Sequence, residues 1–243
     1  MPAEPKNQTL KANPGKNLAI DVDGTRYLRL PVKTPLITTK DNLIELLKKY
    51  AAPHLKPGDI LFVSEKVVCV TQGRIINMNE IKPTRFARFL ARKVKTNYGT
   101  KDFKGFGHGT PMAMQLFIEE AGMSRVLFAA AVSAVTRPLG IKGAFYWICG
   151  KRAKSVDCPM SFLILEYAHY AKLAPQDPDG VAKQIKKEFG NETVILDANY
   201  QGAFSLGKSS RKITEKFIQK VFKDNPLGQS DEMTPFCVLR VEN

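Results

Sequence analysis

Stretches with helical periodicity and stretches with strand periodicity succeed one another along this chain without a regular strand–helix–strand repeat. A regular repeat would wind a parallel sheet with helices on both faces, whereas irregular alternation builds mixed sheets with packed helices, an α+β fold. No internal repeat of fixed period is present, which sets aside solenoids and propellers. At 243 residues the chain holds one large domain or two interlocked subdomains. Residues 1–16 read as a polar leader and 17–243 as the folded part.

Asp23-Gly24 sits between alternating apolar and polar residues and predicts a β-hairpin. Thr39 or Asp41 can cap a helix bearing Leu43, Leu46, Leu47 and Tyr50 that ends before Pro53. The segment from Pro57 to Ile76 reads as turn, strand, strand. From Pro83 to Val94, Phe86, Phe89, Leu90 and Val94 form an apolar stripe, with Arg85, Arg88, Arg92 and Lys95 on another face. Thr110 and Pro111 open a helix that Gly122 closes. Beyond it the pattern predicts a buried helix over SRVLFAAAVSAV, a core strand over GAFYWICG, and a capped helix closed by Gly190. A strand TVILD, a glycine-containing loop, a helix from Ser209 to Phe222 and a final strand FCVLRV complete the chain.

The longest nearly unbroken apolar run, Val126 to Val135, is about half of the roughly 20 residues that cross a membrane, so no spanning segment is expected. The N-terminal residues carry no apolar core, so no export signal or lipid anchor is expected and the protein is expected in the cytoplasm. Four widely spaced cysteines, Cys69, Cys149, Cys158 and Cys237, read as buried thiols. The net charge of +14 calls for an anionic partner: nucleic acid, an acidic membrane surface, or a small molecule rich in phosphate and carboxylate.

Two short motifs have competing readings. IDVDGT matches the start of haloacid-dehalogenase phosphatases, but alternation continues through Arg26, Tyr27 and Leu28, which favours a hairpin turn at Asp23. GAFSLGKS, Gly202 to Ser209, satisfies the phosphate-loop pattern, yet only 34 residues follow it, too few for the further parallel strands and acidic metal ligand of a nucleoside-triphosphatase domain. A coincidental loop or a local anion cradle at Lys208 and Ser209 stays open. His108, between Gly107 and Gly109 ahead of a helix, reads either as a loop side chain or as part of an anion-binding backbone. Asp157 and Asp197 each follow or end an expected strand. Carboxylates there suit oxygen-seeking divalent cations as a pair, although singly such residues are usually turns or caps. Glu65 and Lys66 interrupt apolar residues, which favours either a solvent-facing strand end or contact with a ligand.

In order, PGDILFVSEKVVCVTQGR, FARFLARKVK, GFGHGTPMAMQLFIEEAG, the block from VLFAAAVSAV to SVDCP, DPDGVAKQI and VILDANYQGAFSLGKS resemble the coenzyme F(420)-0:gamma-glutamyl ligase family, in its divergent ligase-like branch. The resemblance runs from about Arg29 to Ser210. It implies a two-part α+β homodimer that joins L-glutamate to a carboxylate of an anionic phosphodiester substrate in coenzyme F(420) biosynthesis. GTP would be the activating nucleotide, with ATP as the other candidate, and magnesium or manganese would be required. It also implies Asp157 and Asp197 on metal and Lys66 as the catalytic lysine, while Gly107, His108, Gly109, Lys208 and Ser209 are the nucleotide- or anion-binding candidates that the loop and helix-start patterns themselves suggest. No membrane partner is expected. Departures from the family pattern are Gln72 before Gly-Arg, Ala198 after the second aspartate, and YQGAFSLGKSS in place of a glycine-arginine-proline stretch. The alternative is a non-catalytic relative that binds an anionic ligand or nucleic acid through a basic face.

Overall fold

The computed structural model describes residues 9–93, 109–161, 164–199, 202–228 and 231–242. The chain divides into two compact units, residues 1–73 with 175–243 as unit 1 and residues 74–174, inserted between them, as unit 2.

Unit 1 begins with the hairpin β1 (Ala19–Val22) and β2 (Thr25–Val32). Asp23 and Gly24 take φ of 51° and 82°, the left-handed pair a two-residue turn demands. The remaining strands of unit 1 are β3 (Ile60–Ser64), β6 (Glu192–Asn199), β7 (Gly202–Lys208) and β8 (Phe236–Val241). They join the hairpin in one sheet of order β1-β2-β8-β3-β6-β7, in which β3 and β6 run parallel and every other pair antiparallel. This mixed pattern is the expected α+β architecture. Phe62, Val194, Leu196 and Cys237 pack with Ile218 and Val221 of α8 (Glu215–Val221) and with Phe222 just after it in a buried cluster. The rings of Phe62 and Phe222 lie 4.6 Å apart.

Unit 2 contains the ribbon of β4 (Ile75–Asn77) and β5 (Tyr170–Lys172), with helices α3 (Arg85–Lys93), α4 (Pro111–Ala121), α5 (Met123–Thr136) and α6 (Ala144–Lys154). Leu90, Met114, Phe117, Val126, Ala129 and Cys149 draw the four helices around one core.

Helices with complete local signals form where expected. Thr110 Oγ1 accepts the Ala113 N–H at 3.1 Å, Pro111 fills the first helical position, and Gly122 ends α4 at φ 84°. In unit 1, Asp177 caps α7 (Pro178–Phe189) by accepting the Gly180 N–H, and Gly190 closes it at φ 80°. The first helix is shorter than expected and differently capped. Asn42, rather than Thr39 or Asp41, accepts the N–H groups of Ile44 and Glu45 to start α1 (Leu43–Leu46). A wider turn over Leu47–Ala51 and a tighter one over Ala52–His54 carry the chain past Pro53.

Six other expectations are corrected. SEKVVCVT is not a second strand but α2 (Glu65–Thr71), with Val67, Val68, Cys69 and Val70 all buried. A continuous apolar run fits a buried helix as well as a buried strand, and packing decides. GAFYWICG is likewise the start of α6, opened by Gly143 and kinked at Gly150, its Phe145 ring stacked 5.5 Å from Phe117. GAFSLGK is the strand β7, with Ala203, Ser205 and Gly207 buried in alternation, so no phosphate loop exists there. The helix expected from Ser209 is confined to α8, capped by Thr214 Oγ1. In α3 the buried side chains are Ala87, Leu90 and Ala91 while Phe89 is exposed; Val94 and Lys95 lie outside the described residues. Helix α5 is real but not buried: only Val126 and Ala129 are covered.

Candidate functional site

The parallel pairing of β3 and β6 sets Ser64 opposite Leu196, so their C-terminal ends lie side by side. Carboxyl ends of neighbouring parallel strands are where open sheets present groups to ligands. From β3 the chain turns directly into α2, placing Lys66 in that helix's first turn with its side chain exposed, while Glu65 is buried and accepts from Cys69 Sγ at 3.7 Å. From β6, Asp197 follows Leu196 by one position and is half-buried, and Asn199 lies two residues on. One strand end therefore contributes a cation and the other a carboxylate with a carboxamide close by. Hard divalent cations take such oxygen donors, and Mg²⁺ commonly uses one or two carboxylates plus substrate phosphates and water. Among the described residues no group of three or more His, Cys, Asp and Glu forms a metal cage.

Lys208 and Ser209 stand elsewhere in the same unit. Lys208 pairs with Val194, three residues before Asp197 and so roughly 10 Å back along β6. Its N–H donates to Asp179 Oδ1 at 2.7 Å and its ammonium to the Ile213 carbonyl at 2.7 Å, with Glu215 at 3.7 Å. Ser209 donates to Glu192 Oε2 at 2.5 Å and its N–H to the Thr193 carbonyl. Burial pushes the Glu192 carboxyl up, but hydrogen bonds from Lys186 and Ser209 outweigh it and hold the group below its ordinary value.

Asp157 belongs to unit 2. Its N–H and C=O form a backbone bridge with Lys172, and its carboxylate lies 3.6 Å from the Lys172 ammonium. Lys172 has no exposed surface and also donates to the Ser155 carbonyl. The sequence reading missed Lys172; its one signal is a lone charge among the apolar residues of YAKLA. A second network was missed as well: the nearly buried Glu120 binds Arg74 through one carboxylate oxygen and Arg152 through the other. Gly109 immediately precedes the Thr110 cap of α4, while Gly107 and His108 lie outside the described residues.

All four thiols are buried and unpaired with one another. Burial raises Cys149 and Cys158 to about 11 and Cys237 to about 12, so these three remain protonated at neutral pH and supply no thiolate nucleophile.

Residues 31–136 match the F420-0:Gamma-glutamyl ligase family. The resemblance read from the ordered sequence blocks is borne out over that segment. The matched segment runs from the end of β2 through α5 and includes Lys66 and Gly107 to Gly109. Asp157, Asp197, Lys208 and Ser209 lie beyond it. No curated protein matches the chain.

Proposed function

We propose that the protein is an acid–amino-acid ligase that activates a substrate carboxylate with a nucleoside triphosphate, GTP first, and joins it to L-glutamate. The observation that supports this reading is the β3–β6 register, in which Ser64, two residues before Lys66 in the matched segment, pairs with Leu196, one residue before Asp197. The substrate carboxylate would attack the γ-phosphorus, forming an acyl phosphate and releasing the nucleoside diphosphate. The glutamate amine would then add to the acyl carbon, lose its proton and displace inorganic phosphate, leaving the amide. Lys66 would attract the transferring phosphoryl group and stabilise charge developing on it, since an aimed cation acts most strongly where water is excluded. Asp197, with Asn199, would hold Mg²⁺ or Mn²⁺, whose chemistry is to neutralise phosphate oxygens.

The test is calorimetric titration of GTP, GDP and ATP with and without Mn²⁺. Metal-dependent GTP binding by the wild type, weakened at least about tenfold by Lys66→Ala or Asp197→Asn, supports the assignment. Lys208→Ala is expected to leave affinity within about twofold, because its ammonium is held by Ile213 and Glu215. Asp157→Asn, run separately, tests that carboxylate as a metal ligand. Binding that is metal-independent and unchanged by Asp197→Asn would remove the site. The second reading, a non-catalytic anion binder, draws on the net charge of +14 and requires oligonucleotide affinity that falls steeply with salt.

A further inference from the structure

Unit 2 carries sixteen lysines and arginines against six aspartates and glutamates, so +10 of the chain's +14 belongs to it. Within it, the stretch from Ala121 to Val156 holds six basic residues and no acidic one. That stretch is the hairpin of α5 and α6, whose inner faces share the core through Val126, Ala129, Cys149 and Ala153. Its outer side is uncovered. Along α5, Leu127, Ala131 and Val135 recur every four residues, with Phe128 beside them, and all four are exposed. In the connecting loop Leu139 is 72% and Ile141 47% exposed, between the exposed Arg137 and Lys142. Trp147 of α6 is 67% exposed. Among the described residues, seven of the ten exposed large apolar side chains fall between Met123 and Trp147, so the apolar surface is concentrated on one hairpin.

Uncovered aliphatic and aromatic side chains at this density mark a contact surface, and their charged neighbours select its partner. A second copy of the same face would bring Arg125, Arg137 and Lys142 against their own kind, which is unfavourable. Nucleic acid would satisfy the charge but not Leu127, Val135, Leu139 and Ile141, since its backbone is read by polar and cationic groups. An anionic bilayer satisfies both, taking apolar side chains into the acyl boundary and arginines and lysines at the headgroup phosphates. No helix of the described residues is long and apolar enough to cross a membrane, so the hairpin would lie on the surface. Against the expectation of no membrane partner, we propose that the α5–α6 hairpin of unit 2 is an interfacial docking surface for anionic lipid membranes.

Trp147 is the chain's single tryptophan, so its emission reports on this surface alone. The full chain is mixed with phosphatidylcholine vesicles, either pure or containing about a quarter phosphatidylglycerol. The expected result is co-sedimentation with the anionic vesicles and a blue shift of Trp147 emission, with neither on neutral vesicles. Leu139→Glu with Ile141→Glu should lower vesicle partitioning at least about tenfold while leaving circular dichroism unchanged. Arg137→Gln with Lys142→Gln, which keeps the apolar tip, should remove the preference for anionic lipid. Vesicle binding without an emission shift, or binding indifferent to both double variants, overturns the proposal. So does blue-shifted emission without lipid accompanied by a dimer that Leu139→Glu dissociates, an outcome assigning the face to a second copy. An equal emission shift on an oligonucleotide and none on vesicles overturns it in favour of nucleic acid.

Discussion

The ammonium of Lys172, wholly buried, lies 3.6 Å from the carboxylate of Asp157, whose side chain keeps 40% of its surface in solvent. The two partners are unequal, and so are the consequences of removing them. In Asp157→Asn the Ser155 carbonyl remains as an acceptor for Lys172, and the lost pair is partly screened, so we expect a loss of about 1 kcal/mol. Lys172→Ala removes a buried stem as well and should cost about 2–4 kcal/mol. Lys172→Met, which keeps the stem and deletes the desolvated charge, should lie between wild type and Asp157→Asn or exceed wild type. Urea unfolding midpoints of the three variants check the order.

Glu120 offers a sharper case because its side chain is only 6% exposed and it serves two arginines. Glu120→Ala should destabilise by about 3 kcal/mol, since it leaves the poorly solvated Arg74 guanidinium without its carboxylate. Arg152→Ala, at a half-exposed partner, should cost less than about 1 kcal/mol. Thermal unfolding of both variants reads the contrast.

Gly207 and Gly24 separate close approach from backbone conformation. A Cβ at Gly207 would meet the Pro178 carbonyl carbon and the Asp179 nitrogen at the start of α7, closer than real Cβ atoms come. Backbone cannot yield as a side-chain tip can, so Gly207→Ala should cost at least about 2 kcal/mol. Gly24→Ala meets nothing within 4 Å and suffers only from its φ of 82°, about 1 kcal/mol. The comparison also tests the strand assignment of β7, because a surface loop at Gly207 would tolerate the change.

Asp224 links stability to pH. Burial pushes its carboxyl up, but hydrogen bonding and charge from the buried Arg29, with help from its own backbone N–H and Lys16, outweigh that and hold it below the ordinary 3.8. A carboxyl whose folded value is depressed contributes fully above its unfolded value, and the contribution fades as pH falls from there through the folded value. Wild type should therefore lose stability faster than Asp224→Asn below about pH 4, while being the more stable of the two at pH 7. Unfolding midpoints measured across that range show whether the curves converge in acid.

The parts of the fold legible in the sequence are those whose signals are local. Asp23-Gly24, the Thr110-Pro111 start with Gly122, and the Asp177-Pro178 start with Gly190 each join groups a few residues apart, so reading along the chain recovers the hairpin, α4 and α7. The positions of Lys66 and Asp197 were likewise recoverable as charges beside apolar strands, although not that the strands would be parallel neighbours. Residues 67–70 and 144–149 misread as strands because a wholly apolar run carries no period to distinguish it, and only the neighbours against which it is buried choose helix.

What the sequence alone determined is the charge, the fold class, the tight turns and the capped helices, since these follow from composition and from contacts within a few residues. Tertiary structure decided the rest. It joined β3 to β6, turned a phosphate-loop pattern into a strand, paired Lys172 with Asp157 and Arg74 with Glu120, and left one face of α5 uncovered. Each of these depends on residues far apart in the chain, whose interaction becomes favourable only once folding has brought them together and removed the water between them.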